Sequence, residues 1–311
     1  MRPDDTAPWP AAFSPSPFAE DLAAIGAIRP GALKLHWPRT RDTDIPVWRD
    51  QDTGVILLGT LPDLSRHYRE KTIGAKEEAE VTLKSGVVSL PRADGDLERR
   101  LKETGELIRG RSVCDFGTGR GLYLDGALPI ASEVHGVEIR DDLLDLIEKR
   151  LGDKAGLHKD ISSITGRFDV ITLFHVLEHL PRQIEMLTAI RTALKPGGHV
   201  FIEVPHARDY LSDKLDLPEY RDFIYWSEHL VLHTRDSLRA LLTACGFEIQ
   251  EIKGTQRYGY ANHLGWLLNR KPGGHVSLAQ HSSPELDRAY AAHLEAQDAT
   301  DTLIAIARKP A

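Results

Sequence analysis

Strands and helices alternate along the chain from Arg111 onwards, and this alternation limits the fold more than any other feature of the sequence. Short apolar runs typical of buried strands follow one another, separated by helical spacing or by turn residues. Parallel strands need long crossover connections, which helices usually supply. The alternation therefore predicts an α/β fold with a mostly parallel sheet of seven strands and helices on both of its faces.

The predicted elements follow from apolar spacing and from start and stop residues. A helix is expected from the N-cap residue Thr234 to Ala244, since Gly246 follows it. The run Lys195-Pro196-Gly197-Gly198 is expected to end another helix. The predicted strands cover 112–116, 133–139, 157–161, 168–174, 199–204, 247–252 and 302–307, and the other clear helices cover 96–108, 141–151 and 184–194.

Two segments lie outside this alternation. Residues 1–95 form a proline-rich N-terminal extension, expected to be irregular because proline lacks a backbone donor, with a small hairpin from Val47 around Asp52–Gly54 and a turn at Asp94–Gly95. Three tryptophans (Trp9, Trp37 and Trp48) indicate that the extension packs on the rest of the protein. Residues 96–311 form the main domain, with an insertion at about 257–300 before the last strand, in which Ser283-Pro284 begins a helix.

Charge and composition exclude several classes of function. A net charge of −7 without a basic stripe argues against nucleic-acid binding, which needs clustered Lys and Arg. Cys114 and Cys245 are too few for a disulfide framework or a four-thiolate zinc site, so buried thiols are expected. The first residues lack the pattern of a signal peptide, and no apolar stretch approaches the roughly 20 residues of a membrane span. A cytoplasmic protein without a membrane span is therefore expected.

A glycine-rich segment, Val113-Cys-Asp-Phe-Gly-Thr-Gly-Arg-Gly121, joins the first main strand to a helix. Its spacing is G-x-G-x-G, whereas dinucleotide-binding loops have G-x-G-x-x-G. Asp115 precedes the first glycine by two residues. A carboxylate there repels a pyrophosphate and favours the ammonium group of an amino acid. Both features argue against a nicotinamide-dependent oxidoreductase.

This segment and those after it resemble the class I S-adenosylmethionine-dependent methyltransferases, over about residues 111–254. The resemblance implies a Rossmann-like sheet and S-adenosylmethionine as cofactor. Glu138 ends the second strand, where a carboxylate can accept hydrogen bonds from both ribose hydroxyls. In the family, an acid after the third strand meets the adenine amino group and the next residue packs on the ring. The implied cofactor-binding residues are Asp115, Gly117, Thr118, Gly119, Glu138, Ile139, Asp160, Ile161, Phe174 and His175.

The acceptor side is expected in the polar and aromatic stretch after the fifth strand. HVLEHL at the fourth strand and a second EHL segment resemble a subgroup that acts on sugars and surface glycans, including C-methyltransferases of nucleotide-linked deoxysugars. This implies a small, sugar-like acceptor methylated on oxygen or carbon. His229 is the predicted base, because the pKa of a histidine lies near working pH. Glu228 is expected to orient it, with Tyr225 and His179 as accessory groups.

Several alternatives remain open at this point. His175 and His179 lie one helical turn apart, yet no metal site is predicted. Tyr258, Tyr260 and Trp266 in the insertion either close over the acceptor, form a contact of a homodimer, or pack in the core. The acceptor is a sugar or an unrelated small metabolite. A non-catalytic subunit with a methyltransferase-like fold is the alternative outside enzymes.

Overall fold

A computed structural model describes residues 8–63, 82–84, 87–89, 95–162 and 164–311. Asp94 of the predicted turn lies outside the described residues, and Gly95 begins a helix. The α-helices are α1 (Pro17–Ala24), α2 (Gly95–Ile108), α3 (Leu122–Ala127), α4 (Asp141–Leu151), α5 (Gln183–Ala193), α6 (Pro218–Ile224), α7 (Arg235–Ala244), α8 (Tyr260–Asn269), α9 (Gly274–Ser277) and α10 (Pro284–Ala296). The strands are β1 (Leu33–Trp37), β2 (Val47–Asp50), β3 (Ile56–Leu58), β4 (Thr82–Lys84), β5 (Val87–Ser89), β6 (Ser112–Phe116), β7 (Glu133–Val137), β8 (Gly156–His158), β9 (Phe168–Phe174), β10 (Leu194–Pro205), β11 (Val231–Leu232), β12 (Glu248–Thr255) and β13 (Thr302–Arg308).

A seven-stranded sheet has the order β12-β13-β10-β9-β6-β7-β8, which confirms the predicted Rossmann-like α/β fold. Strand β6 pairs in parallel with β7 on one side and with β9 on the other, and β7 pairs in parallel with β8. All five residues of β6 are buried, as expected for a central strand covered on both faces. The chain leaves β6 towards β7 on one side and later returns to β9 on the other.

Local sequence explains why the elements begin and end where they do. Helix α7 starts with a capping box, in which the Thr234 side chain accepts from the backbone N–H of Ser237 and the Ser237 hydroxyl accepts from the backbone of Thr234. Helix α10 starts at Ser283 and Pro284 as predicted, and the Ser283 hydroxyl accepts from Leu286 N–H. The hairpin of β2 and β3 is antiparallel, also as predicted.

The boundaries of five strands differ from the sequence prediction. Strand β7 ends at Val137 instead of residue 139, β8 covers Gly156–His158 instead of 157–161, and β12 and β13 are shifted or extended by one to three residues. Strand β10 already begins at Leu194, the end of a predicted helix, and runs through the segment predicted to stop that helix. The reason is tertiary: Gly197 N–H donates to the carbonyl of Lys309, and Lys309 N–H donates to the carbonyl of Gly198. Pairing with the end of the chain thus extends the strand through a local stop signal.

The chain divides into two compact units. The first contains Met1–Pro62, His175–Leu187 and Ile202–Ala307, and the second contains Asp63–Phe174, Thr188–Phe201 and Arg308–Ala311. In the second unit, side chains of α2, α3, α4, β6 and β9 form one core, with Ile108, Leu124 and Ile147 fully buried. Cys114 is buried there, and Cys245 is buried in the first unit; neither forms a disulfide. The predicted domain boundary at residues 95 and 96 stays a prediction.

The first unit includes residues 1–62 of the N-terminal extension, whose strands β1, β2 and β3 form a four-stranded sheet with β11, in the order β1-β2-β3-β11. Trp9 stacks on Phe13 and Phe13 meets the edge of Trp48, all within the extension, whereas the Trp37 Nε1–H donates to Asp222 outside it. Of the aromatic residues in the insertion, Trp266 is a core residue, only 2% exposed and packed against Tyr220. No helix within the described ranges combines the length and hydropathy needed to cross a membrane.

Candidate functional site

Four parallel strands of the second unit end at one edge of the sheet. Phe116 of β6 lies opposite Val137 of β7, and Val137 lies opposite His158 of β8. Asp115 of β6 lies opposite Thr172 of β9. The loops after these strands therefore meet at the carboxyl edge of the sheet. At this edge the chain leaves β6 towards β7 on one side, whereas β9 pairs with β6 on the other side. Ligands of open α/β sheets bind at such a reversal of strand order.

The glycine loop after β6 depends on backbone angles that favour glycine. Gly117, Gly119 and Gly121 have φ of 75°, 56° and 71°. The N–H groups of Gly117 and Thr118 donate to the carbonyl of Val137, which ties the loop to β7. A Cβ added at Gly119 would meet no atom within 4 Å. The loop is thus fixed at its base and open at Gly119.

Glu138 lies where the sequence predicts a ribose-binding carboxylate. Its Oε2 accepts from Gly119 N–H at 2.9 Å, and its Oε1 accepts from Arg140 N–H at 3.0 Å. The residue is 8% exposed. Each carboxylate oxygen has a further lone pair, so two backbone bonds leave Glu138 able to accept from a ligand. Glu138 thus links the loop after β7 to the glycine loop after β6.

Asp115 is buried beneath the glycine loop. Its Oδ1 accepts from the Thr172 hydroxyl at 2.8 Å. Burial raises the pKa of Asp115 to about 6, against the effect of that hydrogen bond. A cationic group bound nearby favours the ionised form. Asp115 is therefore a carboxylate whose charge a bound ammonium stabilises.

The other residues predicted after β7 and β8 differ in exposure. Asp160 is exposed, and both of its oxygens accept from Ser162, one from the backbone and one from the hydroxyl. Ile139 is 69% exposed, whereas Ile161 is fully buried. An exposed carboxylate, Asp160, and an exposed apolar side chain, Ile139, thus follow the neighbouring strands β8 and β7. A contact of Ile161 with an adenine ring stays a prediction.

Phe174 ends β9 and brings in a residue that the sequence analysis did not single out. Its ring packs against Tyr123 and Phe201, with centroid distances of 4.7 and 5.7 Å. The Arg100 guanidinium lies 4.6 Å above the same ring, and its charge acts to lower the pKa of Asp115. Arg100 is on α2, some seventy residues earlier in the chain. No local pattern places it beside Phe174.

In the first unit, His175 follows β9 with a left-handed backbone, φ 57°, which non-glycine residues seldom adopt. Its Nδ1 lies 3.1 Å from Glu178 Oε1 and its Nε2 lies 3.1 Å from Glu203 Oε1, and both glutamates are fully buried. Burial alone would lower the pKa of His175, but hydrogen bonds to the two carboxylates raise it. Arg257 Nη1 is 3.0 Å from Nε2. Backbone strain beside buried charge is typical of functional sites.

His179 and His229 approach each other as the sequence predicts, with ring centroids 5.1 Å apart. The Nδ1–H of His179 donates to the backbone carbonyl of Glu228 at 2.8 Å. Burial lowers the pKa of His229 to about 3, so this ring is neutral. Its Nδ1 is buried without a hydrogen-bond partner. Glu228 thus orients His179 through its backbone carbonyl, and the orientation of His229 by Glu228 stays a prediction.

Tyr225, predicted as an accessory group, is 2% exposed. Its hydroxyl lies 2.7 Å from Nε2 of His36, a histidine of the N-terminal extension. Burial lowers the pKa of His36 to about 4, so the neutral ring accepts this hydrogen bond. His36 and Tyr225 are 189 positions apart, so no spacing in the sequence indicates the pair.

Comparison with known proteins finds a family model, curated relatives and similar solved structures. A model of the methyltransferase-domain family matches residues 91–252, just over half of the chain. The ubiquinone biosynthesis O-methyltransferase of Ralstonia nicotianae is 31% identical over a match that covers 33% of this chain and 48% of that protein. The enzyme of the same name from Burkholderia thailandensis is 25% identical, with 47% and 68% covered. The chain thus spans about half to two thirds of these relatives. A methyltransferase structure from Archaeoglobus fulgidus is similar at 21% identity, 68% and 93% coverage and a TM-score of 0.48.

Proposed function

The chain belongs to the methyltransferase-domain family, and we propose that it is an enzyme that transfers the methyl group of S-adenosylmethionine to a small hydroxylated acceptor. The observation that carries this proposal is the link between the glycine loop and Glu138. Gly119 N–H donates to Glu138 Oε2, and the space above Gly119 is open. A nucleoside can approach the loop there and still reach a carboxylate with free lone pairs.

The residues at this edge fit S-adenosylmethionine part by part. Glu138 accepts from the ribose hydroxyls, and Asp160 accepts from the adenine amino group. The exposed Ile139 packs on the adenine ring, Ile161 is buried behind this edge, and Thr118 belongs to the glycine loop. Asp115 stabilises the ammonium of the methionine end beside Phe174. Arg100, above the Phe174 ring, supplies a cation for the methionine carboxylate.

The acceptor must be aligned and must lose a proton. When bound, S-adenosylmethionine supplies a methyl group activated on a sulfonium. His229 is the proposed base: burial keeps its ring neutral, so a lone pair is available, with His179 beside it. Tyr225, whose hydroxyl donates to His36, is a proposed accessory group.

The acceptor class is the finer part of the proposal. The two EHL segments favour a sugar-like acceptor, methylated on oxygen or carbon. The names of the relatives, ubiquinone biosynthesis O-methyltransferases, favour O-methylation of a small molecule. A cytoplasmic location and a homodimer remain predictions from the sequence.

Methyl transfer from radiolabelled S-adenosylmethionine to two acceptor panels tests the proposal. One panel holds nucleotide-linked sugars and the other holds catechols and related phenols. We expect one panel to be labelled, and His229→Ala to remove turnover while binding of S-adenosylhomocysteine is kept. Binding of S-adenosylhomocysteine without labelling of any acceptor would favour the non-catalytic alternative. Full turnover by His229→Ala would exclude His229 as the base.

A further inference from the structure

Three side chains of the first unit direct metal-binding atoms towards one point. In the described part of the chain, a carboxylate oxygen of Glu178 and ring nitrogens of His179 and His229 all lie within 4.8 Å of one another. Glu178 and His179 share the short 3₁₀ turn Leu177–His179, and His229 follows α6. Ligands of one ion with bonds of about 2.1 Å lie roughly 3.4 Å apart, so small side-chain rotations close the set.

Two of the three groups contain a buried polar atom without a hydrogen-bond partner, Oε2 of Glu178 and Nδ1 of His229. The Nδ1–H of His179 donates to a carbonyl, so a neutral His179 carries its lone pair on Nε2, 3.9 Å from Glu178 Oε1. A buried polar atom without a partner costs about 1–3 kcal/mol. A carboxylate and two imidazole rings with ligand atoms this close together therefore favour a bound cation.

The groups behind the three side chains hold them in the orientation that a metal requires. Metal-binding histidines usually donate their other ring N–H to a carbonyl or carboxylate, as His179 does to Glu228. Metal-binding carboxylates are themselves hydrogen-bonded, as Glu178 is to His175 at 3.1 Å. His175 is held in turn by Glu203. These contacts fix the lone pairs before any ion binds.

We propose that Glu178, His179 and His229 form a binding site for a divalent cation of borderline softness, such as zinc, manganese or iron(II). Two imidazole nitrogens and one carboxylate oxygen suit these ions better than magnesium or calcium, which prefer oxygen ligands alone. Three protein ligands leave further coordination positions open for a substrate oxygen. The sequence predicts no metal site here, because His229 lies fifty residues after His179 and no spacing joins them.

The consequence for catalysis rests on the proposed methyl transfer. A cation held here would use His229 as a ligand, so His229 would no longer be the base. The cation would supply Lewis-acid chemistry: it would lower the pKa of a hydroxyl group bound to it, and that proton would leave to solvent.

Calorimetric titration of the EDTA-treated, tag-free protein with zinc chloride tests the site. We expect one zinc per chain, much weaker binding of magnesium, and a loss of zinc affinity of at least about 100-fold in His179→Ala and His229→Ala. His281→Ala is the matched control, since His281 is exposed in the insertion, and its affinity should equal that of the wild type. Cobalt(II) absorption of the wild type reports the ligand geometry without any substitution.

Zinc affinity that is unchanged in His229→Ala, or no zinc binding by folded wild-type protein, overturns the site. Parallel titration with S-adenosylhomocysteine separates this result from the fate of the proposed function. Zinc binding without S-adenosylhomocysteine binding contradicts the methyltransferase function and leaves the metal site standing. Binding of S-adenosylhomocysteine without zinc leaves the proposed function with His229 as its base.

Discussion

Replacing Asp209 with Asn isolates the free energy of one buried carboxyl group in the first unit. Asp209 is 3% exposed. Its Oδ1 accepts from the N–H groups of Leu211 and Ser212 at 2.8 and 3.1 Å, and its Oδ2 accepts from the Tyr220 hydroxyl at 3.1 Å. Burial, and then the nearby charge of Asp301, raise the pKa of Asp209 from 3.8 to about 7. An asparagine has the same shape and never ionises.

The sign of the effect follows from proton binding. Between pH 3.8 and about 7 the folded protein binds more protons at Asp209 than the unfolded chain does. The contribution of this group to stability is therefore complete below pH 3.8 and is lost as pH rises through about 7. A shift of about three pKa units corresponds to roughly 4 kcal/mol. Asp209→Asn should thus gain stability over the wild type as pH rises, by up to roughly 4 kcal/mol at pH 8.

Urea unfolding followed by tryptophan fluorescence between pH 4.5 and 8.5 measures this difference. Asp153→Asn is the control, because Asp153 is exposed and its substitution should leave the pH profile unchanged. The wild type and Asp209→Asn share all other groups, so the difference between the pH profiles of their stability reports Asp209 together with its coupling to Asp301. A difference that stays constant with pH, or that grows towards low pH, refutes the reasoning.

Three further outcomes are expected. Glu138→Gln should weaken S-adenosylhomocysteine binding by about 1.5–3 kcal/mol in calorimetry, since the acceptor loses its charge, whereas the exposed Glu148→Gln should not. Gly121→Ala should lower the free energy of unfolding by about 1–3 kcal/mol, because φ of this residue is 71° and an added Cβ would lie 2.8 Å from Ile147. Gly105→Ala is the control: an added Cβ there would meet no atom within 4 Å and should not destabilise α2. The wild type should lose stability relative to His206→Asn as pH drops from 6.5 towards 4, because burial lowers the pKa of His206 to about 4 and the unfolded chain binds the extra proton; a difference between the two unfolding profiles that stays constant in this window contradicts this.

The part of the site that follows single strands could be predicted from the sequence. Glu138 follows a buried apolar run, and the register of β6 and β7 brings it to the glycine loop. The order of strands and loops along the chain determines this placement, since the carboxyl ends of parallel strands lie at the same edge of the sheet. The capping box at Thr234 was predictable for the same reason, because its two residues lie three positions apart.

Contacts between distant segments could not be predicted in this way. Glu203 and Arg257 meet His175 only because β9, β10 and the segment after β12 come together in the fold. The pair of His36 and Tyr225 joins the N-terminal extension to α6. Hydrophobic periodicity indicates which face of an element is buried and does not say which distant polar group lies against it.

The central claim is that the loop with Asp115 and Glu138 binds S-adenosylmethionine, and the most direct test is a calorimetric titration of the wild-type protein with S-adenosylhomocysteine beside one with NAD⁺. We predict one site per chain for S-adenosylhomocysteine and no measurable heat with the dinucleotide. Binding of NAD⁺ alone, or of neither ligand by folded protein, would contradict the account.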